Sequence, residues 1–233
     1  HRDLHSFPTR RSSDLGYLEK QNELFEKWFR DLFIPHVFAF EIMMSAYIIG
    51  HLRCMMTAEE LGAKVDYLKD KINLYLFNSL MDDYTLNTKI DITTGSLKQE
   101  INEAIQVRQK KKIMVVMGNP PYKSSSKNNS NWILNKTQIY KDLLSLAPVE
   151  ITAQNSNNDD YVKFIRFAQW RIEESKYGIV TMITNNSFLD YPSFFGLRYS
   201  LIQTFDEIYI INLNGDSRRG IPEIGRASCR ERV

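Results

Sequence analysis

Four consecutive residues, Asn119-Pro120-Pro121-Tyr122, carry the most readable chemistry in this sequence. A carboxamide oxygen and a proline carbonyl accept hydrogen bonds, and a phenol ring offers a flat apolar face. The set suits a planar group bearing an amine. The oxygens take its N–H groups, and the ring stacks on its plane. A second candidate is Glu41, a carboxylate between an apolar run and a helical pattern. At the end of a strand in a nucleotide-binding sheet, such a group accepts from ribose hydroxyls. At the start of a helix it is equally served by the dipole.

These residues need elements to hold them. Residues 112–118 form a short apolar run rich in β-branched side chains and preceded by charges, which reads as a buried parallel strand. Pro120 and Pro121 lack an N–H and fix φ, so they end it in a rigid turn. Asn119 then stands at the carboxyl edge, where ligands sit in open α/β sheets. Residues 37–42, 72–80, 179–184 and 207–215 read as four further strands. Helical periodicity runs over 16–34, stopped by Pro35. It returns from Met43, with Met43, Met44, Tyr47, Ile48, His51, Leu52 and Met55 on the buried side and Gly62 at the end. His51 reads as structural and the methionines as core filling. Residues 96–112 form an amphipathic helix ending in a basic run that suits the dipole. Residues 161–177 form another, ended by Gly178. Asp82 and Asp83 read as solvated charge. The alternation specifies an α/β fold, with no internal repeat or coiled coil.

Asn119-Pro120-Pro121-Tyr122 resembles the catalytic motif of amino-methyltransferases that use S-adenosylmethionine, above all the DNA adenine-N6 enzymes. Residues 40–52 resemble the segment carrying a ribose-binding acid in large single-polypeptide restriction–modification enzymes (type ISP-like). The order of Glu41, Asn78, the Asn119–Tyr122 motif, residues 178–189 and residues 207–215 resembles their methyltransferase domain over nearly all of 36–219. The resemblance implies an incomplete Rossmann-like class I S-adenosylmethionine-dependent methyltransferase fold, with a mostly parallel sheet lacking its first and last strands. It implies that Glu41 holds the cofactor's ribose and that Asn78, otherwise a turn residue, holds its adenine edge, with Phe77 nearby or in the core. Asn119 and the Pro120 carbonyl would accept from the N6 amine of an adenine flipped out of double-stranded DNA. Pro121 would stiffen the turn, and Tyr122 would stack on the base. No metal or general-base histidine is required. Nuclease, translocase and target-recognition regions would belong to the same parent polypeptide.

The pattern is also incomplete. No Gly-rich turn precedes Glu41 and no strand follows Arg219, so this piece alone is not expected to bind cofactor or catalyse. The polar stretch 123–160 either closes over a flipped base or tracks phosphates through Lys123, Lys127 and Lys136, or it is a mobile, functionless insertion. Two rivals stand beside the DNA enzyme. One is a protein-glutamine or RNA amino-methyltransferase, which uses a similar turn. The other is a non-catalytic DNA-binding module that keeps the fold.

The two ends of the chain read differently. Residues 5–14 can be encoded by CAC TCT TTC CCT ACA CGA CGC TCT TCC GAT. The reverse complement of that DNA translates as residues 224–233. The DNA resembles a sequencing-library adapter. Residues 1–15 and 223–233 are therefore read as translated adapter, and 16–222 as a partial methyltransferase catalytic domain. The tails hold six of the 30 basic and four of the 28 acidic residues, so 24 of each remain and the formal charge of +2 vanishes. Global charge then says nothing of a nucleic-acid partner. Cys54 is the one cysteine left, which excludes a disulfide framework, and His36 and His51 share no familiar metal spacing with it. With no apolar run near membrane length, the expectation is a soluble, cytoplasmic protein.

Overall fold

The computed structural model describes residues 12–67, 69–82, 95–121, 128–147 and 159–213; of 12–18, 96 and 97 it gives the backbone alone. Tyr122, Lys123, Lys127, Asp83, most of both tails and the end of the expected strand 207–215 lie outside the described residues. The chain divides into two compact units, residues 1–79 with 88–110 and residues 80–87 with 111–233.

The first unit opens with helix α1 (Ser12–Trp28). A wide π turn, Phe29–Phe33, follows, in which the Ile34 N–H reaches back to the Phe29 carbonyl. The looser winding admits Pro35 into a last helical stretch, Ile34–His36. The helix thus passes the proline expected to stop it. Strand β1 (Phe38–Glu41) leads into α2 (Met44–Glu60), and β2 (Asn73–Leu76) precedes α3 (Gly95–Lys110). β1 and β2 pair in parallel, Phe38 opposite Asn73 and Glu41 opposite Leu76. The Phe77 N–H extends the ladder to Glu41 O at 2.8 Å.

The core of this unit gathers Phe29, Met55, Ala58, Ala63 and Ile72 against Phe25, Phe33 and Leu74. Arg30 ties its rim, forking onto Asp70 at 2.7 and 3.2 Å. α2 turns inward only part of the side expected. Met55 and Ala58 are buried and Tyr47 and His51 half-buried, whereas Met43, Met44, Ile48 and Leu52 are exposed. The helix is apolar on nearly every side, so its sequence marks no single buried stripe.

The second unit holds β3 (Val115–Gly118), α4 (Asn131–Asp142), a 3-10 turn at Leu143–Leu146, α5 (Asp160–Ser175), β4 (Ile179–Met182), the short helix α6 (Ser187–Asp190) and α7 (Phe195–Thr204). β3 and β4 are parallel, Val115 opposite Ile179 and Gly118 opposite Met182. α5 packs on both strands. Strand β3 was expected to be buried, yet Val115, Met117, Ile179 and Ile183 are exposed, Met117 to 75%. A sheet of two strands with one helical layer leaves the other face open.

Helices α4, α5 and α7 enclose Tyr140, Tyr161, Val162, Ile165, Phe194 and Leu197. A buried polar chain crosses this layer. Tyr140 donates to Gln169 Oε1 at 2.8 Å, and Gln169 Nε2 donates to Ser200 Oγ at 2.9 Å. α5 ends in a left-handed Lys176 (φ 71°), then Gly178 at φ 155°. A Cβ on Gly178 would lie 2.4 Å from Met114 O, so only glycine lets the chain pass there.

Among the described residues, four strands form two parallel pairs, where the sequence predicted five strands in one sheet. The α/β class holds. Residues 207–213 lie in no ladder. A β-branched apolar run becomes a strand only beside a partner, and none of the described strands accepts it.

Candidate active site

The ladder of the second unit closes with Ile183 N–H donating to Gly118 O at 3.0 Å. The next residue is Asn119, exposed at the carboxyl edge of β3, followed by a buried Pro120 and an exposed Pro121. The buried Pro120 seats the turn. Tyr122 lies outside the described residues, so three of the four motif residues have a described position.

Since Gly118 stands opposite Met182, the same edge carries the stretch after β4. There the Asn185 side-chain oxygen accepts from the Ser187 N–H at 2.7 Å and from the Ser187 hydroxyl. This local turn starts α6. The sequence reading had given Asn185 no role.

The described chain resumes at Asn128 and is fastened at once. Lys163, fully buried on α5, donates through Nζ to Asn128 O at 2.6 Å and to Asn129 Oδ1 at 3.0 Å. Asn128 Nδ2 donates to the buried Asp160 carboxylate at 2.9 Å. Ser130 Oγ donates to Leu80 O. Asp82 accepts the N–H groups of Asn131 and Trp132 at 3.0 and 2.7 Å. Asp82 was expected to be solvated charge and is instead the cap of α4, two open N–H groups meeting one carboxylate. Lys136, a candidate for tracking phosphates, holds its ammonium over the Trp170 ring, 4.8 Å from the centroid. Burial lowers its pKa.

In the first unit, Glu41 Oε1 accepts from Ile42 N–H and Met43 N–H, both at 2.8 Å. One oxygen therefore pins the turn into α2, as the helix-start reading expects. Oε2 makes no hydrogen bond among the described residues. Asn78 is half-buried just past β2, at the same carboxyl edge as Glu41. Phe77 belongs to the core. It is buried, with the Phe40 ring at 5.3 Å and the Arg108 guanidinium over its face at 5.2 Å. Arg108, read as part of a basic run, is buried and donates to Ser79 O at 3.0 Å.

Because Phe77 faces β1, Leu74 and Leu76 face the outer edge of β2. That edge is closed by side chains. His51 Nε2 meets Leu74 O at 3.1 Å, Leu76 N–H donates to Glu100 Oε1 at 2.9 Å, and Tyr47 donates to Glu100 Oε2 at 3.0 Å. Burial and that carboxylate push the Tyr47 phenol up to about 12. His51 is the structural residue expected. Glu100 was missed, because a lone glutamate on an amphipathic helix carries no signal of the strand edge it meets.

Among the described residues, no group of three or more His, Cys, Asp or Glu is placed to hold a metal, and no helix is long and apolar enough to cross a membrane.

No curated protein is similar enough in sequence to match. Among solved structures, the fold is similar to a nuclease-deletion mutant of the Type ISP restriction-modification enzyme LlaGI in complex with a DNA substrate mimic. The TM-score is 0.62 at 24% identity, over 88% of this chain and 17% of that one. LlaBIII, an ATP-dependent Type ISP restriction-modification enzyme bound to DNA, gives 0.58 at 24% identity over 81% and 12%. The DrdV–DNA complex gives 0.57 at 23% over 79% and 18%. At these identities the likeness is one of fold, and this chain spans less than a fifth of each of those proteins. In sequence, the pattern of the Eco57I restriction-modification methylase matches residues 35–218, from just before β1 to beyond the last described residue. The match covers most of the chain and spans both units, and the chain belongs to the Eco57I restriction-modification methylase family.

Proposed function

We propose that this chain is part of a site-specific DNA adenine-N6 methyltransferase that uses S-adenosylmethionine and works within a larger restriction–modification polypeptide. The observation that supports this most directly is the end of β3. The last ladder bond at Gly118, an exposed Asn119 and a buried Pro120 are consecutive there. The family match and the DNA bound in the LlaGI, LlaBIII and DrdV complexes favour duplex DNA as the substrate.

In this reading Asn119 Oδ1 and Pro120 O accept the two N–H groups of the adenine N6 amine. Both contacts draw positive charge off the amine as it forms, so they strengthen toward the transition state. Tyr122 stacks on the flipped base. Bound S-adenosylmethionine supplies an electrophilic methyl group. Glu41 fits its ribose, since Oε1 is anchored by two backbone N–H groups and Oε2 remains to accept from hydroxyls. Asn78 would hold the adenine edge of the cofactor. The parent sheet would be Rossmann-like, residues 16–222 its catalytic part, and the terminal tails adapter. Nuclease, translocase and target-recognition regions belong to the parent, acting in the cytoplasm.

The test is single-turnover methylation by the full-length gene product. Asn119→Ala is expected to slow transfer to adenine in duplex DNA by about 100-fold, the usual loss for a charge-stabilising contact. Tyr122→Ala should weaken base flipping read by 2-aminopurine fluorescence, and Tyr122→Phe should retain it. An Asn119→Ala enzyme that methylates adenine at the wild-type rate overturns the mechanism. Activity confined to a protein glutamine or to RNA favours that rival. DNA binding with no transfer by the wild type favours the non-catalytic module.

A further inference from the structure

The turn after β4 holds an amide donor that the turn itself does not use. Asn185 Oδ1 accepts from the Ser187 N–H at 2.7 Å and from the Ser187 hydroxyl. A main-chain N–H only donates, so the carboxamide atom that faces it is the oxygen. Two donors fill that oxygen, and Nδ2 stands on the other side of the group. Among the described residues Nδ2 donates to nothing, and Asn185 is half-buried with that atom open to solvent. The neighbouring Asn186 side chain, by contrast, meets Asn212 Oδ1 at 3.5 Å. Aspartate or serine would form the same turn, because the turn needs only an acceptor. Asparagine adds two N–H groups that the fold leaves over.

The segment is held at both ends. Ile183 N–H donates to Gly118 O at 3.0 Å, which ties its start to β3. Arg198 on α7 donates through Nη1 to Phe188 O at 2.7 Å and to Tyr191 O at 2.9 Å, which ties its end. A side chain held in this way loses little freedom on meeting a ligand.

Its place matters as much. Gly118 stands opposite Met182, so Asn119 comes level with Ile183, two residues before Asn185. Parallel neighbours stand about 4.8 Å apart and two residues advance the chain by at most about 7 Å, so the two asparagine Cα atoms lie within about 12 Å of each other. That span suits a planar base between two carboxamides. In the proposed function, Asn119 Oδ1 and Pro120 O accept from the adenine amine. Beside the amine, adenine carries a ring nitrogen on either side, N1 and N7, each an acceptor without a hydrogen. An acceptor for the amine and a donor for the ring nitrogen together match adenine. Guanine has the O6 acceptor where the amine would be and is refused.

We infer that Asn185 is a substrate-binding residue that donates through Nδ2 to a ring nitrogen of the target adenine, beside the amine held by Asn119. The inference rests on the adenine-methyltransferase reading and adds the group that reads the ring.

The experiment measures single-turnover transfer by the full-length gene product on three duplexes, with adenine, 1-deazaadenine or 7-deazaadenine at the target. The wild type is expected to lose about 10-fold on one analogue, the one lacking the bonded nitrogen, the scale of a donor left unmet. Asn185→Asp keeps the acceptor and so the turn, and removes the donor. Its rates on adenine and on that analogue should agree within about twofold, because the partner is gone from both. Asn185→Ser should behave likewise, and its neutral side chain separates loss of the donor from the charge that aspartate brings. Equal wild-type rates on all three duplexes overturn the inference without any variant and leave the adenine reading standing. Variants that keep the 10-fold preference for adenine also overturn it and mark Asn185 as a turn residue. A loss of duplex affinity in the variants that is the same for all three duplexes means a phosphate contact and overturns it too. A wild type that transfers no methyl to adenine sinks the adenine reading, and the inference with it.

Discussion

The outer edge of β2 and the stretch from Glu207 to Leu213 are both strand-like sequence with no strand beyond them among the described residues, and they end differently. At β2 the open carbonyl of Leu74 and the open N–H of Leu76 are met by His51 and Glu100. At 207–213 nothing forms a ladder, and Tyr209 and Ile211 stand 84% and 89% exposed. An exposed strand edge invites pairing unless it is blunted. The side-chain cap at β2 makes it a terminus. The run 207–213 is apolar and pairs with none of the described strands, a described contact from elsewhere being the Asn186 side chain on Asn212 Oδ1 at 3.5 Å. Apolar β-branched composition is common to both, so composition does not separate them. Polar side chains placed on the open backbone groups of β2 do.

That contrast can be broken by removing the cap. Glu100→Ala strips the acceptor from the Leu76 N–H and from the Tyr47 hydroxyl together. It should lower the stability of the chain in urea unfolding by about 2–3 kcal/mol, with Glu100→Gln losing about half as much. Tyr47→Phe should cost about 1 kcal/mol at neutral pH, and it sharpens the comparison through pH. The Tyr47 phenol is raised from about 10 to about 12 by burial and by Glu100. A raised pKa means that the folded state keeps a proton that the unfolded state has lost. Tyr47 therefore stabilises fully below pH 10, and that share disappears as pH climbs to about 12. Alkaline unfolding of Tyr47→Phe should be shallower over this window. It should not be flat, because Tyr75, Tyr140 and Tyr161 are also raised by burial. The smallest effect belongs to the other region. Ile211→Asp should change stability by no more than about 0.5 kcal/mol, as surface substitutions do. A cost like that of Glu100→Ala would mean that 207–213 is held in place after all.

What the sequence made legible was local. Asn119 at a strand end needs only an apolar run and two prolines, and the alternation of strands and helices needs only periodicity. His51 read as structural from its place on a helix. The failures all depended on a distant partner. Asp82 caps a helix that starts 49 residues later in the chain. Lys163 fixes residues 34 and 35 positions earlier. The outward turn of Met43, Met44, Ile48 and Leu52 could not be foreseen from a helix that is apolar on nearly every side. Residues 207–215 had every mark of a strand except a neighbour. A one-dimensional pattern records which side chains want burial, and it is silent on which surface takes them.

Glu41 has a consequence for anyone reading mutants of this protein. Its Oε1 pins the entry to α2, and in the proposed function its Oε2 faces the ribose. An alanine there would release the backbone and the ligand in one stroke, and a drop in affinity would not say which was lost. Glu41→Gln separates the two. The amide oxygen still accepts from Ile42 and Met43, while the negative charge is gone. The genetics of this position are pleiotropic by construction, and a conservative exchange is more informative than a deletion.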